Sequence, residues 1–158
     1  MITDSDIKYL QMAITIADEN ISNGGGPFGA LIVRDGSIIS ASGNRVIQDC
    51  DPTAHAEVLA IRNAAAKLDS HELDGCILYS SCEPCPMCLG AIYWAGIKRV
   101  VYAATRHDAA AAGFSDEHIY NEISLGADNR SVEFVNLEAE KGKEVLRRWI
   151  DFPGKIPY

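Results

Sequence analysis

Residues 82–88 read Cys-Glu-Pro-Cys-Pro-Met-Cys, so three of the chain's five cysteines fall within seven positions. Two of them, Cys85 and Cys88, stand three apart, a spacing that puts both on one side of a first helical turn. A helix N-terminus lowers the pKa of a thiol and so favours the thiolate, which is the form that ligates metal. A fold for this chain therefore has to start a helix here and bring a further ligand to its end. With an odd cysteine count and no secretion signal, reduced thiols and metal ligation outrank a disulfide framework. Cys50 and Cys76 read as packing residues.

His55 is the best candidate for the third ligand, and zinc suits a set of two sulfurs and one imidazole. Three protein ligands leave the fourth position to water, whose pKa zinc lowers to about 7. Such a site needs an acid/base, and Glu57 lies two residues from His55. Residues two apart on an ideal helix point about 200° apart, so the pairing depends on how the helix begins. A rival arrangement adds Cys82 to make a closed, structural site of His55, Cys82, Cys85 and Cys88. That arrangement predicts a zinc-stabilised binding module rather than an enzyme.

The rest of the pattern predicts an α/β fold. Leu10, Ile14, Ala17 and Ile21 recur at helical steps, and Gly24 to Pro27 end that helix. Residues 30–33 and 37–41 form two β-prone runs around Asp35-Gly36, a tight-hairpin signal. Ala54, Val58, Ile61, Ala65 and Leu68 predict a second helix, with Asp51 before Pro52 as its cap. A strand at 76–80, a helix at 84–95 and a strand at 99–104 complete a βαβ alternation. Residues 109–113 give no periodic signal. A short helix at 116–123, a fifth strand at 131–135 and a final helix marked by Val145, Leu146, Trp149 and Ile150 follow.

At 158 residues the chain suits one domain that buries roughly 70% of the surface of its unfolded form. Acidic residues outnumber basic ones 22 to 14, and a net charge of −8 disfavours a nucleic-acid partner. No stretch approaches the ~20 apolar residues of a membrane span, and the start of the chain has no signal-peptide character. The expectation is a cytoplasmic protein without a membrane partner.

His-Ala-Glu opening one helix and Pro-Cys-x-x-Cys opening another is the order of the zinc deaminase signature. On this pair the chain resembles the cytidine deaminase-like superfamily, and within it the short bacterial guanine deaminases. GGPFGA (25–30), DPTAHAEV (51–58), CILYSSCEPCPMCLGAIYWA (76–95) and DAAAAGFSDEHIY (108–120) carry the likeness. The resemblance implies a three-layer α/β/α fold around a mixed five-stranded sheet. It also implies hydrolytic deamination of guanine to xanthine and ammonia, with Zn2+ held by His55, Cys85 and Cys88. Glu57 would carry protons between water, ring nitrogen and departing amine.

By the same resemblance Phe28 stacks on the purine, Asn44 bonds the ring edge, Asp116 reads its donor edge, and Ala56 and Trp94 line the pocket. Tyr158 would close the pocket, and the tail from about 151 to 158 would be exchanged between the subunits of a homodimer. Ser115 and the prolines and glycine at 153, 154 and 157 depart from the related pattern. A tRNA adenosine deaminase and a deaminase of cytosine, a triazine or a pterin are the rival activities.

Overall fold

The computed structural model describes residues 2–157, which form two compact units divided between Glu117 and His118. In the first unit, helix α1 (Asp4–Ser22) starts with a capping box in which Thr3 and Asp6 satisfy each other's backbone N–H groups. A hairpin follows, β1 (Gly29–Arg34) and β2 (Ser37–Gly43). Its two turn residues, Asp35 and Gly36, have φ of 50° and 73°, the positive pair that a type I′ turn requires. After them come a short α2 (Val46–Asp49), α3 (Ala56–Leu68), β3 (Cys76–Cys82), α4 (Pro86–Trp94), β4 (Arg99–Ala104) and α5 (Arg106–Ala111).

The strands lie in the order β2-β1-β3-β4. β1 runs antiparallel to both β2 and β3, while β3 and β4 are parallel and joined across α4, so the sheet is mixed. Both central strands are buried on both faces. Tyr9 and Ala13 of α1 pack on Leu31, Val33 and Tyr79 on one side. Ala56, Ala60 and Ala64 of α3 and Ile92 of α4 pack on Ala30, Ile32 and Leu78 on the other. The three-layer α/β/α architecture expected from the sequence is therefore present.

Two expectations need correction. The buried face of α1 is Asp6, Tyr9, Ala13 and Ala17, and Ile14 and Ile21 are exposed. The cause is close approach of strand and helix: a Cβ on Gly29 would lie 2.4 Å from the Ala13 carbonyl oxygen, so only small side chains fit that seam. The expected fifth strand is also absent, and among the described residues the sheet has four strands. Residues 131–135 belong to the second unit and have β-forming side chains but no ladder. Ser131 instead gives its N–H to the Glu122 carboxylate at 2.7 Å, and the Arg130 guanidinium lies 4.9 Å from the Phe134 ring centroid. α6 (Glu117–Ser124) and α7 (Ala139–Asp151) are the helices expected there.

A buried polar network ties α1 to the sheet. Asp6 accepts hydrogen bonds from the Tyr79 hydroxyl and from Arg99, each at 2.8 Å. Tyr79, Thr3 and Arg99 hold the Asp6 carboxyl down from its ordinary 3.8 to about 2, and burial pushes Tyr79 up to about 12. A carboxylate with a depressed folded-state pKa stabilises the fold above its unfolded pKa and loses that contribution as pH falls through the folded one. Wild-type protein is therefore expected to lose thermal stability between pH 3.8 and about 2 more steeply than Asp6→Asn. Parallel Tm profiles of the two proteins over this range would refute the assignment.

Candidate active site

Asp51 does not cap α3. Its Oδ1 accepts from the Thr53 N–H at 2.8 Å and the Thr53 hydroxyl at 2.7 Å, forming a tight turn that ends before the helix. His55 is the N-cap, with extended backbone at φ −70° and ψ 150°, and its carbonyl accepts the first helical bond from Leu59. This removes the angular objection: His55 lies outside the helical repeat, so its ring and the Glu57 carboxylate converge although they are two residues apart.

Cys85 is likewise the N-cap of α4, extended at φ −66° and ψ 170°, with Pro86 as first helical residue and Cys88 one turn inside. The three ligand atoms form an almost equilateral triangle. His55 Nδ1 lies 3.5 Å from each sulfur, and the sulfurs are 3.5 Å apart. Tetrahedral zinc with bonds of ~2.3 Å to sulfur and ~2.0 Å to nitrogen needs edges of about 3.5 Å between sulfur and nitrogen and about 3.8 Å between the sulfurs, so these residues fit the ion. Cys82 is not part of the group. Its thiol lies 3.6 Å from the Thr105 carbonyl oxygen, and burial pushes its pKa up to about 11. The three-ligand site is thus open, and the closed four-ligand arrangement is not formed.

The two sulfurs are electrostatically linked. The hydrogen bond with Cys88 draws the Cys85 thiol down to about 4, and the same contact raises Cys88, so one proton serves two sulfurs. Cys85 in turn raises His55. Glu57 is 5% exposed, and burial raises its pKa. Its Oε2 lies 3.4 Å from Cys88 Sγ, and its Oε1 accepts from the Ser80 hydroxyl at 3.2 Å.

The surroundings of this centre come from the loops at the ends of β1 and β2. Phe28 packs against the core cluster that contains the fully buried Ala56, and its ring meets Phe114 edge-on at 4.9 Å between centroids. The Asn44 N–H donates to the Phe28 carbonyl, and the next residue, Arg45, donates to Ala54 beside His55. Asn20, at the end of α1, clamps both loops: its Nδ2 donates to the Gly26 and Asn44 carbonyls at 2.7 and 2.8 Å. A Cβ at Gly43 would lie 2.6 Å from Asn20 Oδ1, which explains glycine there. Asp116 is near enough to feel the charges of Cys85, Arg106 and Glu83, and partial burial raises its pKa.

Not every expected residue gathers here. Trp94 is 71% exposed at the far end of the nine-residue α4, about 13 Å along the helix from Cys85. Tyr158 lies outside the described residues. Asn20, Ser80 and Phe114 were not singled out from the sequence; only Phe114 carried a hint, being inside the GFSD segment.

A sequence profile described as the cytidine and deoxycytidylate deaminase zinc-binding region matches residues 3–104. The chain belongs to this deaminase family. It is accordingly a zinc-dependent hydrolytic deaminase, with His55, Cys85 and Cys88 as the candidate zinc site. A guanine deaminase of Bacillus subtilis is 51% identical over 151 residues, covering 95% of this chain and 97% of that protein. Its crystal structure superposes with a TM-score of 0.93 at 51% identity, over 96% of this chain and 97% of that one. A guanine deaminase structure from Nitrosomonas europaea gives a TM-score of 0.67 at 36% identity, over 73% of this chain and 66% of that one. Deaminases of this family also act on other partners: a tRNA-specific adenosine deaminase of Aquifex aeolicus is 36% identical over 87% of this chain and 89% of its own length.

Proposed function

We propose that the chain hydrolyses guanine to xanthine and ammonia. The observation that carries this reading is the extent of the match to the Bacillus subtilis guanine deaminase. The family profile stops at residue 104, after the metal ligands, whereas that match covers 95% of the chain and so includes the segment containing Phe114 and Asp116. Zinc, when bound, supplies a Lewis acid that makes water a competent nucleophile near neutral pH.

The protein's own residues do the rest. Glu57 takes one proton from water and passes it to a ring nitrogen as the new C–O bond forms, then takes the second from the oxygen now on the ring carbon and delivers it to the amine as the carbonyl forms and the C–N bond breaks, releasing ammonia. Burial, which raises its pKa, suits a carboxyl that has to hold a proton between these steps. Phe28 offers a stacking face, braced from the side by Phe114. Asn44 and Asp116 supply polar groups for the ring edge, and Ala56 a buried, featureless floor.

The chain acts as one deaminase domain in a homodimer, with residues from about 151 to 158, Tyr158 included, covering the partner's pocket. Support comes from α7, whose Val145, Leu146, Trp149 and Ile150 are all exposed and need cover that a second subunit would give. Trp94 joins a pocket wall in such an assembly. A cytoplasmic location is in keeping with the reduced, metal-binding use of cysteine. Among the described residues no helix is long and apolar enough to cross a membrane.

Zinc-loaded protein offered guanine, cytosine, a triazine and tRNA adenosine separately should form xanthine and ammonia in equal amounts from guanine. Faster turnover of any of the others would overturn the substrate assignment.

A further inference from the structure

Two adjacent hydroxyls are buried near the end of β3, and they serve different ends. Ser81 accepts the Gly29 N–H at 3.0 Å and closes the seam between β1 and β3. Ser80 is 2% exposed and points to the opposite face of the sheet, the α3/α4 side where Leu78 also lies. A hydroxyl among such apolar neighbours is unfavourable unless it is hydrogen-bonded. The Cys82 N–H approaches Ser80 Oγ from behind at 3.5 Å, leaving the hydroxyl proton to point toward Glu57 Oε1 at 3.2 Å.

We propose that Ser80 is a positioning residue for the acid/base: it pins one oxygen of Glu57 so that the other faces the ligand triangle. The inference rests on the deaminase role of Glu57 and not on which ring is the substrate. Oε2, the oxygen Ser80 does not hold, is the one 3.4 Å from Cys88 Sγ. A ligating Cys88 is a thiolate and has no proton to give a carboxylate, so beside the backbone N–H of Glu57 itself, Ser80 is the side-chain donor that keeps Glu57 aimed when metal is present. A carboxylate that has to reach water, a ring nitrogen and a leaving amine in turn gains from one fixed oxygen and one working oxygen. Misplacement by about 1 Å at such a centre lowers rate up to ~10²-fold.

The decisive pair of variants is Ser80→Thr and Ser80→Val, which have nearly the same shape and differ by the hydroxyl. Threonine adds one methyl, and valine adds that methyl and puts a second in place of the hydroxyl, so the added bulk is alike and the hydroxyl is the difference. The valine variant should show kcat lower than the threonine variant by roughly ten- to 100-fold, with KM, zinc stoichiometry and Tm matched between the two. Crystal structures of the zinc-loaded pair should show Glu57 in a single orientation with threonine and in more than one with valine. Equal kcat values, or an unmoved Glu57 carboxylate in the valine variant, would overturn the proposal. Failure of the guanine assignment would appear instead in wild-type turnover, and the pair would then be compared on whichever ring reacts.

Discussion

Glu57→Gln is expected to lower kcat by about 10³-fold or more while zinc content stays stoichiometric and the fold intact. A positioned acid/base contributes typically ~10²–10⁴-fold, and here one carboxylate relays both of water's protons, which places the loss toward the upper end. The amide keeps the shape of the side chain and can still accept from Ser80. It also removes a charge that burial disfavours, since Glu57 is 5% exposed and its pKa is raised. Tm should therefore hold or rise slightly, the pattern expected when a functional group is kept at the expense of stability. Ammonia release, metal analysis and a melting curve on the same preparation test this together. Turnover within tenfold of wild type would remove Glu57 from the reaction; loss of zinc alongside activity would make it a structural support for the ligands.

Replacing Cys88 by serine should abolish stoichiometric zinc and with it all measurable turnover. Cys88 is fully buried and its sulfur forms two edges of the ligand triangle, each 3.5 Å. A serine hydroxyl keeps the volume but is not a thiolate, and no other cysteine is placed to substitute, because the Cys82 thiol is turned to Thr105. The same centre joins the N-termini of α3 and α4, so its loss should also lower stability. A ligand present at about 100 times its Kd stabilises by roughly 2.7 kcal/mol, which gives the scale of the Tm drop to look for. Wild-type protein stripped by a chelator should show the same Tm drop and recover on adding zinc, whereas Cys88→Ser should not recover. A variant that still bound one zinc per chain and turned over substrate would disprove the three-ligand site.

Much of this could be read from local sequence. Asp35-Gly36 specified the hairpin because only positive-φ residues serve that turn, and Pro-Cys-x-x-Cys specified a helix start because proline, an extended N-cap and a one-turn spacing act over four residues. The errors arose where a distant surface decides. Ile14 and Ile21 have the right period, yet Ala13 and Ala17 meet the sheet at Gly29, where strand and helix come close. Residues 131–135 have strand-forming side chains, but a strand is a pairing, and Ser131 finds Glu122 instead. Asn20 and Ser80 were not legible for the same reason: each acts on a partner 24 or 23 positions away that only the fold brings near. The angular conflict between His55 and Glu57 dissolves only once the backbone at His55 is seen to be extended.

That kink has a consequence for what the chain tolerates. Adding one amino acid between the imidazole and the carboxylate would advance the latter by about 100° around α3 and carry it off the metal side. Removing one would pull the carboxylate into the cap itself. Variation in Ala56 is limited by its complete burial, but the count of residues there is limited more strictly. Indels at this junction should be lethal to turnover even where any single exchange survives.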